Sequence, residues 1–408
     1  MTRRRVFAVL LGTSAGALVA EGVVNVSLMP YAASLGVPAA GLGLLYTAHR
    51  LVRLAAAPWA GLAADRVGRR PPLLLGFFCM SLALLVLALA GSFPTLLASR
   101  VLYGLGSACL ITAGLASALD LGGETERGRT IGLYQGAIYG VYPLGSVAGG
   151  FLTDAFGYGR TFLGCSGAVL GVTLLATAAV AETGMPGPGG DRAVPGARLR
   201  DYPRLLDRRI RRYTALKMLS GFAIWGVFEA TFVLFLLAQL GPETTLFGAG
   251  VGTRSVAGLM FGILLVLGFL LGSPVVGRWC DRTDQRMPLV WVSLAVTALA
   301  LLVLGVAGTT ETVTVAVVGL GLAVALATTP LAALVGDAAR PERRAATLAA
   351  YSTLGDVANA VGSILGTALA LGVGFRPTYI GTAMVVVAGS ALLFPRTERR
   401  RVGDEPRS

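Results

Sequence analysis

Residues 61–70 are Gly61-Leu62-Ala63-Ala64-Asp65-Arg66-Val67-Gly68-Arg69-Arg70, a short basic segment between two long apolar runs. A degenerate copy follows 216 residues later, as Gly277-Arg278-Trp279-Cys280-Asp281-Arg282. Asp120 and Asp337, each at the end of another apolar run, lie 217 residues apart. Two matches at almost the same offset indicate that the chain consists of two repeated halves.

The composition excludes an ordinary soluble enzyme. Of the 408 residues, 55% are hydrophobic and only 13% are charged, which is about half the charged share of a soluble domain. A soluble fold of this size needs more charge on its exterior. The net charge of +13 would suggest nucleic acid in a soluble protein, but here the charges lie between apolar runs. We therefore predict an all-α membrane protein with no nucleic-acid partner.

The apolar runs predict twelve transmembrane helices, since a helix needs about 20 mainly apolar residues to cross a bilayer. The longest loop divides them six and six. This division predicts an N-terminal bundle at 1–181, a central loop at 182–211, a C-terminal bundle at 212–395 and a tail at 396–408. The predicted spans are 6–33, 39–63, 72–91, 94–119, 129–153, 160–181, 212–240, 250–278, 287–308, 312–336, 344–372 and 376–395.

The distribution of basic residues predicts the orientation. Of the 34 lysines and arginines, 27 lie in segments on the side of the N-terminus, three on the other side and four within spans. Because basic loops stay in the cytoplasm, both termini and the central loop are predicted to be cytoplasmic. The arginine-rich composition, with Lys217 as the only lysine, suggests a GC-rich bacterial genome and thus the bacterial inner membrane.

Five charged side chains are predicted to lie near the middle of the bilayer. A charge there costs at least a few kcal/mol and usually faces a cavity or a partner. With a rise of about 1.5 Å per residue, their depths converge at roughly 18–22 Å from the inner helix ends. Two six-helix repeats are typical of a transporter with its site at midplane, so we predict proton coupling there. The five are Glu21, Arg50, Arg53, Arg100 and Asp356.

The sequence offers no residues for a metal site or for nucleotide hydrolysis. His49 is the only histidine, and the four cysteines lack CxxC spacing. A phosphate-binding loop of the form G-x-x-x-x-G-K-[ST] needs a lysine directly after glycine, whereas Lys217 follows Leu216. We therefore expect no cofactor, no enzyme activity, and a proton gradient as the source of energy.

Residues 61–70 resemble the loop signature of the major facilitator superfamily, G-x-L-A-D-R-x-G-R-R, and the twelve spans extend the resemblance to the whole chain. It implies the major facilitator fold, with two pseudo-symmetric six-helix bundles that work by alternating access, as a monomer. It also implies a cytoplasmic gate, in which Arg66 or Arg69 reaches an acid at the foot of the fourth helix and holds the outward-open state. The gate candidates are Gly61, Asp65, Arg66, Gly68, Arg69 and Asp120, with Asp281 and Arg282 in the second copy.

Two further motifs are similar to those of the drug:proton antiporter branch. Residues 100–106, Arg100-Val101-Leu102-Tyr103-Gly104-Leu105-Gly106, resemble its fourth-helix motif R-x-x-x-G-x-G, whose arginine is linked to proton transfer. The glycines of the fifth span resemble its fifth-helix motif, although Tyr142 rather than glycine precedes the proline. Small residues at every fourth position let helices pack closely. We predict a packing role for Gly136, Gly140, Pro143 and Gly149.

In this family helices 1, 4, 7 and 10 line the cavity, and helix 2 packs near helix 11. The resemblance implies that Glu21 and Arg100 face the cavity and that Arg53 can pair with Asp356. We interpret Glu21 as the main protonatable carboxylate, modulated by Arg100. Alternatively, Asp356 carries the proton, or Glu21 is a static ion-pair partner of Arg50. Candidates for substrate contact are Asn25, Tyr103, Tyr139, Trp225, Phe228 and Glu229.

These features predict proton-coupled export of a small amphipathic or drug-like compound. Proton-coupled uptake of an organic anion is the alternative, because the four bases within the spans outnumber the acids there. From a different class, a gradient-independent lipid scramblase or a non-transporting membrane sensor is a further alternative. The expected partners are a small-molecule substrate, protons and the lipid bilayer.

Overall fold

The computed structural model describes residues 3–122, 127–183, 207–246, 248–283, 286–340 and 344–394. Over these residues the chain is almost entirely helical, because a helix satisfies its own backbone polar groups in lipid. The twelve predicted spans correspond to α1 (Arg3–Ser34), α2 (Ala39–Val67), α3 (Arg70–Ala88), α4 (Phe93–Gly122), α5 (Arg127–Gly140 and Tyr142–Phe156), α6 (Tyr158–Ala179), α7 (Arg208–Gly221, Phe222–Phe228 and Glu229–Leu240), α8 (Thr253–Leu265, Val266–Leu271 and Gly272–Thr283), α9 (Arg286–Val306), α10 (Thr310–Ala338), α11 (Arg344–Gly372) and α12 (Phe375–Leu393).

The observed helices start and end within a few residues of the predicted ones, which confirms the all-α membrane fold. Ten helices among the described residues are long and apolar enough to cross a membrane. The other two helices, α2 and α5, do not reach this length and apolar character, for reasons that their sequences show. Helix α2 carries several charged residues, including Arg50 and Arg53, and α5 consists of two shorter segments of 14 and 15 residues.

Three helices are interrupted near their middle. Helix α5 breaks at Val141, directly before a segment with a proline in its first turn, because Pro143 has no N–H to donate and its ring crowds the preceding turn. Helices α7 and α8 contain π-helical segments at Phe222–Phe228 and Val266–Leu271. Such segments are frequent at functional sites, and each of these three places supplies an aromatic side chain to the central cavity.

Two large hydrophobic cores hold the molecule together, beside a small cluster of Val276, Cys280, Leu289 and Ala325. One is built almost entirely from α1–α6 and the other from α7–α12. The exceptions lie where the halves meet. Val26 of α1 belongs to the C-terminal core, while Ala230 and Leu234 of α7 belong to the N-terminal core. Because only these few buried side chains belong to the core of the other half, the two halves form separate bundles.

The halves pack against each other at one face of the membrane. We call the face with the chain ends the inner face. At this face the bond that connects the start of α7 to the end of α12 lies within the C-terminal half: Nε of Arg212 donates to the carbonyl of Leu393, 2.8 Å away. At the opposite, outer face, α1 contacts α7, α2 contacts α11 and α5 contacts α8. A Cβ added to Gly43 of α2 would lie 2.6 Å from the Cα of Ile364 on α11.

An acid at the end of α5 closes the outer face further. The carboxylate of Asp154 accepts hydrogen bonds from the backbone N–H and the hydroxyl of Ser255, both at 2.7 Å, and from Arg254 at 3.2 Å. These donors form the first turn of α8, so an acid from one half caps a helix of the other, where the helix dipole favours a negative charge. A hairpin that the sequence analysis did not predict, β1 (Glu243–Leu246) paired with β2 (Ala249–Gly252), leads into this turn.

The glycines predicted to pack in α5 divide into two groups. Gly149 packs against α1, since an added Cβ would lie 2.7 Å from the Cα of Val23. Pro143 is buried at the start of the second segment. Gly136 and Gly140 have no atom within 4 Å of an added Cβ, so the predicted packing role is wrong for these two here. They lie in the inner segment of α5, Arg127–Gly140, which makes only few contacts with the other half.

Candidate substrate and proton site

A cavity of about 380 Å³ lies between the two halves. The contacts between α1 and α7, α2 and α11, and α5 and α8 close it toward the outer face. No pair of inner helix ends from opposite halves is packed closely in the described part of the chain, so the cavity faces inward. The lining residues are Glu21, Asn25, His49, Arg50, Arg53, Tyr139, Tyr142, Ser146, Lys217, Trp225, Glu229, Phe261, Leu265, Phe269, Asp356 and Asn359.

On the N-terminal side, Glu21 of α1 pairs with His49 of α2. The carboxylate Oε1 and the imidazole Nε2 are 3.0 Å apart, and both side chains are almost completely buried. Arg100 of α4 lies behind this pair, 1% exposed, with its guanidinium 5.0 Å from the ring centre of Tyr103. Two of its nitrogens, Nε and Nη1, have no hydrogen-bond partner in the described chain. Arg100 therefore acts on Glu21 through its charge rather than through a direct bond.

A second ion pair joins the halves. Nη2 of Arg50 on α2 donates to Oε2 of Glu229 on α7 at 2.8 Å. The guanidinium also lies 5.3 Å from the ring centre of Tyr46 and donates weakly to the carbonyl of Trp225, at 3.4 Å. The proposed static pair of Glu21 with Arg50 is thus wrong, because Arg50 is turned toward α7 and Glu21 toward the imidazole.

The predicted pair of Arg53 with Asp356 is also not formed. Both side chains line the cavity, yet no ion pair within 4 Å joins either of them to another described residue. Asp356 on α11 interacts over a longer distance with Lys217 of α7 and with Arg50. Arg53 belongs to the N-terminal half and Asp356 to the C-terminal half, so the two side chains line the cavity from different halves.

Two stacked aromatic pairs form the apolar walls. Tyr139 and Tyr142 of α5 stack with their ring centres 5.9 Å apart, and Trp225 of α7 stacks on Phe269 of α8 at 5.7 Å. One pair belongs to each half. Each also lies at an interruption of its helix, which turns neighbouring side chains toward the same cavity.

Of the six predicted substrate contacts, four line the cavity and two do not. Asn25, Tyr139, Trp225 and Glu229 are on its surface. Phe228 is fully buried in the C-terminal core and packs on Phe232 with ring centres 4.6 Å apart. Tyr103 is 1% exposed and meets His49 edge to face. The prediction is wrong for these two because helix rotation, which spacing alone does not define, turns them into the bundles.

The cytoplasmic-gate candidates form a cluster within the N-terminal half. Arg69 donates to Asp65 and, through Nε, to Asp120 at 3.1 Å. Partial burial alone would lower the pKa of Arg69, but the bonds to these two carboxylates raise it above the usual value. Arg66 is exposed, so Arg69 is the residue that reaches the foot of α4. Gly61 lies in the last turns of α2.

An acid that the sequence analysis missed completes this cluster. Glu182, after α6, accepts from the backbone N–H of Arg69 at 2.7 Å and of Arg70 at 3.1 Å. Gly68 makes room for it with a φ of 95°, since an added Cβ would lie 2.6 Å from its carboxylate. Glu182 therefore caps the start of α3.

The C-terminal half repeats the ion pair. Arg286 donates to Asp337 at the foot of α10, at the same offset of 217 residues from Arg69 and Asp120. Arg282 is exposed, and the side chain of Asp281 lies outside the described part. The second copy therefore uses a residue that the motif comparison did not single out.

His49 is the functional residue that sequence reasoning overlooked. It follows Tyr46 by three residues and precedes Arg53 by four, which places all of them, with Arg50, on one face of α2. A single histidine suggested no chemistry by itself, whereas its place on a charged face within a span was a usable signal. Among the described residues, no three metal-ligating side chains come together.

Comparison with known proteins agrees with this architecture. The chain matches the sequence model of the Major Facilitator Superfamily over residues 10–252 and 237–408, and it belongs to this family of membrane transporters. Its structure is similar to that of a bacterial homologue of the human lysosomal transporter Spinster in an inward-facing conformation, with a TM-score of 0.77, 96% of each chain covered and 16% identity. That likeness concerns the fold.

Curated relatives match only part of the chain. The probable vesicular acetylcholine transporter-B of Danio rerio is 40% identical over 93 residues, 22% of this chain and 19% of that protein. The chromaffin granule amine transporter of Rattus norvegicus is 29% identical over 123 residues, 30% of this chain and 24% of that protein. The chain thus spans about a fifth to a quarter of the length of these relatives.

Proposed function

We propose that this protein is a proton-coupled secondary active transporter of a small amphipathic solute, working as a monomer by alternating access. We place it in a bacterial inner membrane with both termini cytoplasmic. One observation carries the proposal: a buried carboxylate, Glu21, lies on the wall of the cavity between the halves, paired with an imidazole. A carboxylate reached from a cavity can exchange protons with one side of the membrane at a time.

Glu21 is the proton-binding group in this proposal. Protonation of its carboxylate would remove the negative charge that accepts the bond from His49 and would leave the positive charge of Arg100 uncompensated. Burial favours the neutral carboxylate and a nearby cation favours the ionised one, so a small movement of Arg100 changes the balance. Asp356 is the second candidate, since it lines the opposite wall near Lys217.

Alternating access follows from where the halves touch. The outer ends are packed and the inner ends apart, so the opposite state requires the outer contacts and the Arg50–Glu229 pair to separate. In that state the cluster of Asp65, Arg69 and Asp120 would approach the C-terminal half as a gate. The cluster is already formed within its own half here, so its formation does not depend on the outward-open state.

Two modes of coupling satisfy this proposal. The motifs shared with drug:proton antiporters favour export of a drug-like compound in exchange for protons. Uptake of an organic anion together with protons is favoured by a specific observation, the fourth base, Arg100, that lies buried behind a cavity wall of three bases and three acids. The modes differ in whether solute and proton compete or bind together.

The proposal is tested with purified protein in proteoliposomes that contain a pH-sensitive dye. A pH gradient is imposed and a panel of lipophilic amines and aromatic carboxylates is added. We expect solute-dependent proton flux that Glu21→Gln abolishes and that Glu243→Gln, a change of an exposed acid in the outer hairpin, leaves unchanged. Undiminished flux in Glu21→Gln would remove Glu21 from the mechanism and make Asp356 the next candidate. Lipid scrambling without a gradient and without solute flux would contradict the proposal.

A further inference from the structure

We propose that the cavity binds a planar organic anion whose anionic group pairs with Arg53, and that protonation of Glu21 strengthens this binding. The inference rests on the proposed function, because it names the substrate class of the same site. It also specifies the coupling, since an anion and a proton that bind together are carried in the same direction.

The charges around the cavity do not balance. The wall itself carries three bases and three acids, and Arg100, buried behind Glu21, adds a fourth base, which gives an excess of one positive charge when His49 is neutral. Taking an uncompensated charge out of water is unfavourable, so a bound anion neutralises the cavity whereas a bound cation adds to the imbalance. The bases are Arg50, Arg53, Arg100 and Lys217, and the acids are Glu21, Glu229 and Asp356.

Among the bases on the cavity wall, Arg53 and Lys217 have no ion pair within 4 Å in the described chain, and Arg53 is the one with a planar guanidinium. Arg50 is engaged by Glu229 at 2.8 Å, and Arg100 is buried behind the wall. Arg53 lines the cavity, and no acid of the described chain lies within 4 Å of its guanidinium. A guanidinium binds a carboxylate through two parallel hydrogen bonds, which makes it the preferred partner of a planar anionic group.

The aromatic walls suit the rest of such a ligand. The stacked pair Tyr139–Tyr142 lies on the N-terminal side and the pair Trp225–Phe269 on the C-terminal side. Arg53 interacts electrostatically with Tyr142, so the cationic and aromatic surfaces are adjacent. A cavity of about 380 Å³ is within the usual range for small-molecule sites. A flat ring system between the two pairs would contact both halves at once.

The sign of the coupling follows from Glu21. Its protonation removes a negative charge from the cavity wall and so raises the excess positive charge that an anion meets. By reciprocity, a bound anion favours protonation of Glu21 by the same factor. The titratable and charged groups facing Glu21 are His49 and Tyr46 on α2, Arg100 and Tyr103 on α4 and Tyr142 on α5, none of them another acid.

The test compares two ligands of the same shape and opposite charge. Binding of 2-naphthoate and of 2-naphthylmethylamine to the purified full chain in lipid nanodiscs is measured by calorimetry at pH 7.5 and pH 5.5. We expect naphthoate to bind more tightly than the amine, and about tenfold more tightly at the lower pH, a usual size for coupled sites. Arg53→Gln should weaken naphthoate binding at least about tenfold and Arg53→Lys less, while Arg160→Gln, a change of an exposed arginine outside the cavity, should have no effect.

Binding of the amine alone, or of neither ligand, overturns the inference, as does naphthoate binding that Arg53→Gln leaves intact. Tighter naphthoate binding at pH 7.5 than at pH 5.5 overturns the coupling. These results are separate from failure of the proposed function. Amine-driven proton flux that is lost in Glu21→Gln would support the proposed transporter and reject the anionic substrate. Arg53-dependent naphthoate binding without any proton flux would support the anionic ligand and reject the proposed transporter.

Discussion

At the scale of single residues, the Arg50–Glu229 pair connects the two halves through one short bond. Its nitrogen and oxygen are 2.8 Å apart, and the side chains are 17% and 6% exposed. Removing one member of a buried pair leaves a charge without compensation, which costs about 3–5 kcal/mol, whereas removing both is much less harmful. The pair can exist only while the outer ends of the halves are together.

We therefore predict a strong coupling between Arg50→Gln and Glu229→Gln. Each single change should lower stability by about 3 kcal/mol, and the double variant should be more stable than the sum of the single effects implies, by about 1–3 kcal/mol. Denaturant unfolding of the purified protein in detergent measures the cycle, with Arg160→Gln as the control. Additive effects would show that the pair contributes nothing to holding the halves together.

Residue pairing shows how far sequence reasoning extends. The Arg69–Asp120 contact was predictable as one of two choices, because the resemblance to the family's loop signature implied that Arg66 or Arg69 reaches an acid at the foot of the fourth helix. The pairing of Glu21 with His49 was not predictable, and neither was the lack of an ion pair at Arg53 within the described chain. Counting residues gives the depth of a side chain along a helix, whereas pairing depends on helix rotation and on the angle between the halves. Asp356 and Arg53 both line the cavity, but no ion pair within 4 Å joins them.

At the scale of helices, the outer contact between α5 and α8 depends on glycine. A Cβ added to Gly150 would overlap the carbonyl oxygen of Arg254, and one added to Gly258 would overlap that of Ser146. These backbones approach closely because no side chain lies between them. The contact joins opposite halves, so it can form only in the arrangement that closes the outer face.

We predict that Gly150→Ala opens the outer face. Forcing an extra methyl into a packed contact costs about 1–3 kcal/mol, so the outward-open population should rise on the order of tenfold. A cysteine in place of Val26, which is fully buried between the halves, reports this opening through its labelling rate with a membrane-impermeant maleimide. Gly164→Ala, where an added Cβ meets nothing within 4 Å, should leave the rate unchanged. Equal rates in the two variants would contradict the assigned role of this contact.

The helices themselves were predictable from apolar length, and their interruptions were not. A run of about 20 apolar residues indicates a span regardless of its neighbours. The π-helical segments of α7 and α8 depend on contacts with other helices, which no local pattern records. These two segments bring Trp225 and Phe269 together at the cavity.

At the scale of the whole molecule, two repeated halves surround one cavity, and each half carries its own ion pair at an inner helix end. Arg69–Asp120 and Arg286–Asp337 are related by the same 217-residue offset as the halves. Each bundle is thus stabilised internally, while the contacts between bundles lie at the outer ends and around the cavity, where Arg50 meets Glu229. Such a division allows the bundles to move as rigid bodies around the site.

The most direct measurement is the pair of distances across the two faces in a single protein. Spin labels are attached in a cysteine-free background, either at positions 67 and 283 on the inner face or at positions 35 and 308 on the outer face, all of them exposed. We predict that a change of pH moves the inner and outer distances in opposite senses, and that Glu21→Gln abolishes this response. Distances that change in the same sense, that do not change, or that respond equally in Glu21→Gln would contradict proton-coupled alternating access.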